Sequence, residues 1–301
     1  MPHVVLVAHQ ESVPFKELAK LAGVLQKQVL EHLQPFWQCS ATVTAEAEWN
    51  RVPNGSWPIV FMNNLPGPLA GQHLQHNGRP IAYVETGPWQ SVIASHECLE
   101  MIVDPNGQSL LRPTHAAGTL GGADMPIEYL VEICDPCVAP EHAYPIDDVW
   151  VSDFVTRQYY QPTQGAARWS FAGRVGGPGQ VLPHGYLTWY NLSDGRWYQS
   201  QADAAGTTSV VHIPAPDVSG QPARLAIDRL GAVKRHACFA SKPRPFAQVG
   251  GTPQHCAIDL DAELARHSAT FQSKASPAKA LAKSVKKTTE KSKARTKEKS
   301  Q

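Results

Sequence analysis

The first hundred residues break into short apolar runs punctuated by polar and turn-forming residues, and none approaches the roughly 18 apolar residues of a membrane span. Such a chain must bury its apolar surface by layering strands and helices. Residues 4–8 (VVLVA) read as a buried strand. Residues 14–34 read as a helix, because Leu18, Leu21, Leu25, Val29 and Leu33 recur at helical spacing; Pro14 suits its first turn and Pro35 is expected to end it. Residues 40–49 place Ala41, Val43, Ala45, Ala47 and Trp49 on one face of a strand. Residues 57–62 are a buried strand, 66–71 a Gly/Pro loop, and 80–86 another strand. A second helix is predicted over about 90–103, stopped by Asp104-Pro105-Asn106-Gly107. The expected order is strand, helix, three strands, helix.

Beyond this, residues 129–134 (YLVEIC) read as a short strand or the entry to a turn, 149–155 (VWVSDFV) as a strand, YLTWYN and RWYQSQ as a hairpin turning at Ser193-Asp194-Gly195, and 223–230 as a short amphipathic element. With 42% hydrophobic and 18% charged residues the chain can bury a core, while 22 Gly and 25 Pro predict much loop. We expect an α+β protein: a core at 1–160, a smaller irregular β-rich segment at 161–272, and a basic tail at 273–301. The net charge of +1 hides this division. The tail carries nine Lys and one Arg against two Glu, so the remainder is net acidic. With almost no large apolar residues the tail is expected to be disordered. It reads either as a solubilising end or as a salt-sensitive, sequence-independent nucleic-acid contact.

The opening MPHVVLVAHQ has no cationic segment before its apolar run, which suggests a cytoplasmic protein; a virion-associated one is the alternative. Six Cys are then expected to be reduced. Cys134 and Cys137 form one CxxC pair, a weak zinc signal that buried thiols explain as well.

The chemistry concentrates in Ser95-His96-Glu97-Cys98-Leu99-Glu100-Met101-Ile102-Val103-Asp104. On a helix, His96 and Glu100 stack one turn apart, and Glu97 lies about 100° round. Ala94, Cys98, Met101 and Ile102 form the opposite stripe, so the helix would bury that stripe and present the three polar residues to a cleft. Two metal ligands at i and i+4 with a carboxylate between them suit hydrolysis by metal-bound water. His96 and Glu100 are the expected ligands of one divalent ion and Glu97 the general base. With Glu100 where a second His is usual, zinc remains the first expectation, with Mn or Fe as alternatives. Glu132 is the chosen third ligand, with Asp135 as the alternative or a supporting partner; Asp104 suits a supporting or helix-ending role. A lone His-Glu-x-x-Glu also arises on solvated helix faces.

Strand, helix, three strands and a His-Glu-x-x-Glu helix resemble the catalytic half of zincin metallopeptidases. The resemblance implies a zincin-like mixed sheet whose edge strand, Pro80–Thr86, takes extended peptide or protein substrate by β-addition. The blocks SHECLEMIVDP, EICDP and VWVSDFVTRQYY, with Gln28, Pro35 and Trp37, are similar to a family of uncharacterised bacterial and phage-associated proteins. That similarity spans roughly residues 4–200. A metal-dependent hydrolase, a peptidase, is therefore the first functional expectation. A non-catalytic binding or virion-associated protein on the same scaffold is the second. His73 and His76 are expected in a loop before the edge strand, exposed or lining the cleft; His115, His142 and His184 are given no role. Tyr159 and Tyr160 read as packing or as oxyanion donors, and Asp153 as a structural acceptor or a partner of the site.

Overall fold

The computed structural model describes residues 1–10, 12–65, 70–113, 126–163, 168–214, 216 and 222–229, all within one compact unit spanning 1–258. The tail at 273–301 and His115 lie outside the described residues. Five strands form the first sheet: β1 (His3–Ala8), β2 (Thr42–Glu46), β3 (Trp57–Met62), β4 (Gly71–His76) and β5 (Arg79–Glu85), in the order β2-β1-β3-β5-β4. All pairs are parallel except the hairpin of β4 and β5. The apolar runs of β1 and β3 are buried along their length, as parallel central strands require.

Helix α1 (Phe15–Lys27) packs Leu18, Leu21 and Leu25 against this sheet. The chain does not stop at Pro35. A π-helical turn over Gln28–Leu33 leads into α2 (Gln34–Trp37), which ends at Gln38 in the left-handed region. Pro35 stands in the first turn of this last piece, directly after the π-helical turn has shifted the bonding pattern.

Between the expected strands at 57–62 and 80–86 the structure adds β4, so four strands, not three, separate the helices. Pro80–Thr86 is correspondingly not the edge: β5 lies between β3 and β4, and β4 is the edge. His73 and His76 lie on this strand rather than in a loop. The hairpin turns at Asn77-Gly78, both at positive φ, the geometry of a tight two-residue turn.

The site helix is α3 (Gln90–Val103). The second sheet runs β12-β11-β10-β7-β6, joining β6 (Leu110–Leu111) and β7 (Ile127–Leu130) to β10 (Tyr186–Asn191), β11 (Arg196–Ala202) and β12 (Thr208–Ile213). The expected hairpin is β10–β11. A two-stranded sheet pairs β8 (Tyr144–Ile146) with β9 (Val149–Val151), so the strand expected over 149–155 is only its first three residues. Short helices α4 (Arg157–Tyr160) and α5 (Ala223–Arg229) complete the described elements. No helix among the described residues is long and apolar enough to cross a membrane.

A buried polar network ties α3 to the rest. The Ser95 hydroxyl donates to Gln28 Oε1 (2.8 Å) and accepts from the Ser152 N–H (3.0 Å). Gln28 Nε2 in turn donates to Tyr144 Oη and the Ser152 carbonyl, both at 3.0 Å. Gln28 occupies the π-helical turn, which explains why the helix widens there: its amide has to reach α3. Ser95→Ala should destabilise the protein by about 1–3 kcal/mol, because it strands a buried amide and a buried N–H; a denaturant titration measures it, and a loss within error would show the network to be slack.

Candidate metal centre

Helix α3 is buried on every side. Val92 through Ile102 are all buried, so the apolar stripe and the polar face are both inside the molecule, and the expected open cleft is absent at these residues. The charges are tolerated because they meet one another. His96 Nε2 lies 3.2 Å from Glu100 Oε2, the one-turn pair that the sequence spacing predicts. It also stands 3.3 Å from Asp135 Oδ1.

Asp135 and Glu132 arrive from the segment after β7. Tyr160 Oη donates to the Glu132 carbonyl (2.8 Å) and Val155 N–H to the Ile133 carbonyl (2.7 Å), which fixes that segment's backbone. The Cys134 N–H then donates to Glu100 Oε1 (3.0 Å). Glu97 points the other way, toward the edge strand, with Oε2 3.2 Å from His73 Nδ1. Gly71 allows this approach, since a Cβ there would stand 2.8 Å from Glu97 Oε1 and collide with Ile93.

The sequence reading missed two members. His73 is buried and also lies 3.8 Å from Glu100 Oε2. The Asn77-Gly78 turn was the signal that would have made residues 71–76 a strand, and alternation along it puts Gly71 and His73 on the buried face. Arg224, from α5, donates through Nη1 to Glu100 Oε2 (2.6 Å) and to Glu132 Oε2, and stands 3.2 Å from His73 Nδ1. Nothing local in the sequence connects it with residues 124 positions earlier.

Among the described residues, three sets of side chains place ligand atoms within 4.8 Å of one another: His96, Glu100 and Cys134; His73, Glu97 and Glu100; and Glu100, Glu132 and Asp135. Glu100 belongs to all three. Glu132 therefore meets Glu100 and Asp135, while His96 meets Glu100 and Cys134. Among the described residues, four carboxylates, two imidazoles and one guanidinium share this space, with more negative than positive charge when the carboxylates are ionised. Glu97 Oε1 and Glu132 Oε1 are buried and have no hydrogen-bond partner among the described residues. Unsatisfied carboxylate oxygens in a dry interior are costly, and a bound cation is one group that would satisfy them. The donor set of imidazole nitrogen and carboxylate oxygen suits zinc, manganese or iron.

The protonation of the ion-free site follows from the same crowding. Burial alone would lower His96, but the carboxylates of Glu100, Asp135 and Glu97 outweigh it and push it up to about 10. Burial opposes ionisation of Glu100 too, yet His96 and Arg224 hold it well below its ordinary value. Burial, reinforced by Glu100 and Asp135 against Arg224, pushes Glu132 well above the usual carboxylate range; Asp135 is raised mainly by burial. Cys134 and Cys137 are raised well above ordinary thiols by burial, so both are neutral buried thiols, and Cys134 rather than the pair stands beside the cluster.

The remaining sequence candidates are structural. Asp104 ends α3, accepting from the Ser109 N–H and hydroxyl, both at 2.8 Å. Asp153 Oδ1 accepts from the N–H groups of Phe154 (2.8 Å) and Ala172 (2.9 Å). Tyr159 is buried and donates to the Gln180 carbonyl (3.0 Å), as Tyr160 does to Glu132. His142 lies 3.1 Å from the Pro183 carbonyl and His184 is half-exposed, both away from the cluster.

No family model matches the chain, and neither a curated protein nor a solved structure matches it significantly.

Proposed function

We propose that the protein is a metal-dependent hydrolase of the zincin type, acting on peptide bonds. The observation that carries this reading is the buried convergence on Glu100: imidazole and carboxylate groups from α3, β4 and the segment after β7 all point at one carboxylate. The mixed sheet leading directly into a His-Glu-x-x-Glu helix is its support at the level of the fold. In this reading His96, Glu100 and Glu132 hold one divalent ion, zinc in the first place, with Asp135 the competing third donor beside His96. The ion, when bound, would polarise a scissile carbonyl and acidify a water molecule. Glu97, on the same helix turn and close to Glu100 through His73, would be the base that takes a proton from water there. His73, 3.2 Å away, orients the Glu97 carboxylate. Glu97 would later return the proton to the leaving amine.

A second reading is favoured by Arg224. A guanidinium already bonded to Glu100 and Glu132 is itself a buried counter-charge, which suits a non-catalytic scaffold that has no need of an ion. The basic tail would then attach such a scaffold to nucleic acid. Elemental analysis of the purified chain separates the two. The hydrolase reading expects about one Zn, Mn or Fe per chain, and none in His96→Ala. Wild type that takes up none of the three at micromolar concentration overturns it and leaves the scaffold reading.

A further inference from the structure

We propose that Arg224 is a built-in competitor of the divalent ion, and that α5 is a latch which withdraws when the ion binds. The proposal rests on the metal reading above. Nη1 of Arg224 bonds to Glu100 and Glu132, two of the three proposed ligands, and stands 3.2 Å from His73. It therefore lies where the ligand sets overlap. An ion held by these same two carboxylates would have to share them with the guanidinium. Two like charges in the same buried space also repel strongly, since little water screens them.

His73 shows the same conflict from the other side. Its Nδ1 faces Glu97 Oε2 and Arg224 Nη1 at the same 3.2 Å. A ring nitrogen either carries a proton and serves the carboxylate, or has a lone pair and serves the guanidinium. With Arg224 in place one of these contacts is unmet; with Arg224 withdrawn His73 donates to Glu97 alone.

The latch is a short element. Helix α5 has seven residues. Its start is tied by the Arg224 N–H to the Gly107 carbonyl (3.0 Å), at the loop that ends α3. Gly107 lies in the left-handed region, and a Cβ there would stand 3.3 Å from Arg224 Cβ. Among the described residues its buried side chains are Arg224, Ala226 and Ile227, the last packed with Leu130, Trp197 and Ile213. A short helix of this kind can open locally before the whole molecule does. The coupling is reciprocal: the ion must displace Arg224, and Arg224 lowers the ion's apparent affinity to the intrinsic value multiplied by the fraction of molecules in which the latch is open.

Two measurements on the full chain test this. In the first, zinc is titrated into ion-free wild type and Arg224→Met, which keeps the stem and removes the charge. The variant is expected to bind at least tenfold more tightly, with His96→Ala in that background abolishing binding. In the second, which needs no substitution, wild type is treated briefly with trypsin in zinc or in chelator. The buried Arg224–Leu225 bond is expected to be cut only in zinc, giving a fragment that ends at Arg224. Equal or weaker zinc affinity in Arg224→Met overturns the latch, and so does a bond that stays protected in zinc-loaded wild type; either result leaves the metal reading standing. Zinc binding by neither protein overturns both.

Discussion

Glu97→Gln is expected to keep its ion and lose turnover of a peptide pool by about 100- to 10,000-fold, the contribution of a well-placed general base. The separation of the two effects follows from how many candidate sets each carboxylate serves. Glu97 belongs to one, with His73 and Glu100, whereas Glu100 also meets His96 and Cys134, and Glu132 and Asp135. Glutamine preserves the shape and the contact with His73 while removing the base. Glu100→Gln should instead lose ion and turnover together, because Glu100 stands in every set of candidate ligands. Stoichiometry by elemental analysis beside initial rates distinguishes them. If Glu97→Gln loses its ion as completely as Glu100→Gln, Glu97 is a ligand and the assigned proton transfer is wrong.

Gly185→Ala should cost about 3 kcal/mol, at the upper end for overpacking a buried position. A Cβ on Gly185 would collide with the Pro136 carbonyl, stand 2.8 Å from its carbon and 2.9 Å from the Leu182 carbonyl oxygen. All three are backbone atoms, so no side chain can rotate away. The Leu182 N–H donates to that same Pro136 carbonyl (2.9 Å), and the Gly185 N–H to Leu182 (2.7 Å), which closes the turn before β10 around the clash. Pro136 follows Asp135 directly, so the displacement also reaches the candidate centre. Thermal unfolding should show a fall of roughly 6–12 °C for a domain of this size, and ion affinity should drop with it. An unchanged melting temperature would mean that the turn has room the structure does not show.

The parts of the fold that were legible in the sequence are those where local pattern and tertiary burial agree. The runs at 4–8 and 57–62 and the leucine spacing of α1 each state one periodicity, and the structure keeps them. Strand β4 was missed because GQHLQH has no apolar alternation, so that only the Asn77-Gly78 turn marked it: its buried face is Gly71 and His73, packed against Ile93 and Glu97. Pro35 misled because the rule that proline ends a helix assumes an unbroken α-helical ladder, and the π-helical turn restarts it. At the site, the spacing of His96 and Glu100 was readable from helix geometry alone, and Glu132 and Asp135 from charges set in apolar surroundings. The burial of the whole helix was not. Amphipathic reasoning sends charged residues to solvent, and only pairing with His73, Asp135 and Arg224, distant in the chain, allows them to remain inside.

That helix α3 has no solvent-facing side bears on time as well as on energy. A surface helix breathes at its ends and along its wet face, and its amides trade hydrogen with water on that account. An enclosed helix has no such route, so the amides from Val92 to Ile102 should be among the slowest to exchange, each waiting on an opening that frees its neighbours as well. Whatever reaches the centre is subject to the same clock: its arrival and departure follow the opening of the surrounding elements rather than diffusion to a standing entrance. A small cation caught inside would therefore be long resident even where its affinity is modest, and the moment of folding, before the walls have closed, is when it enters fastest.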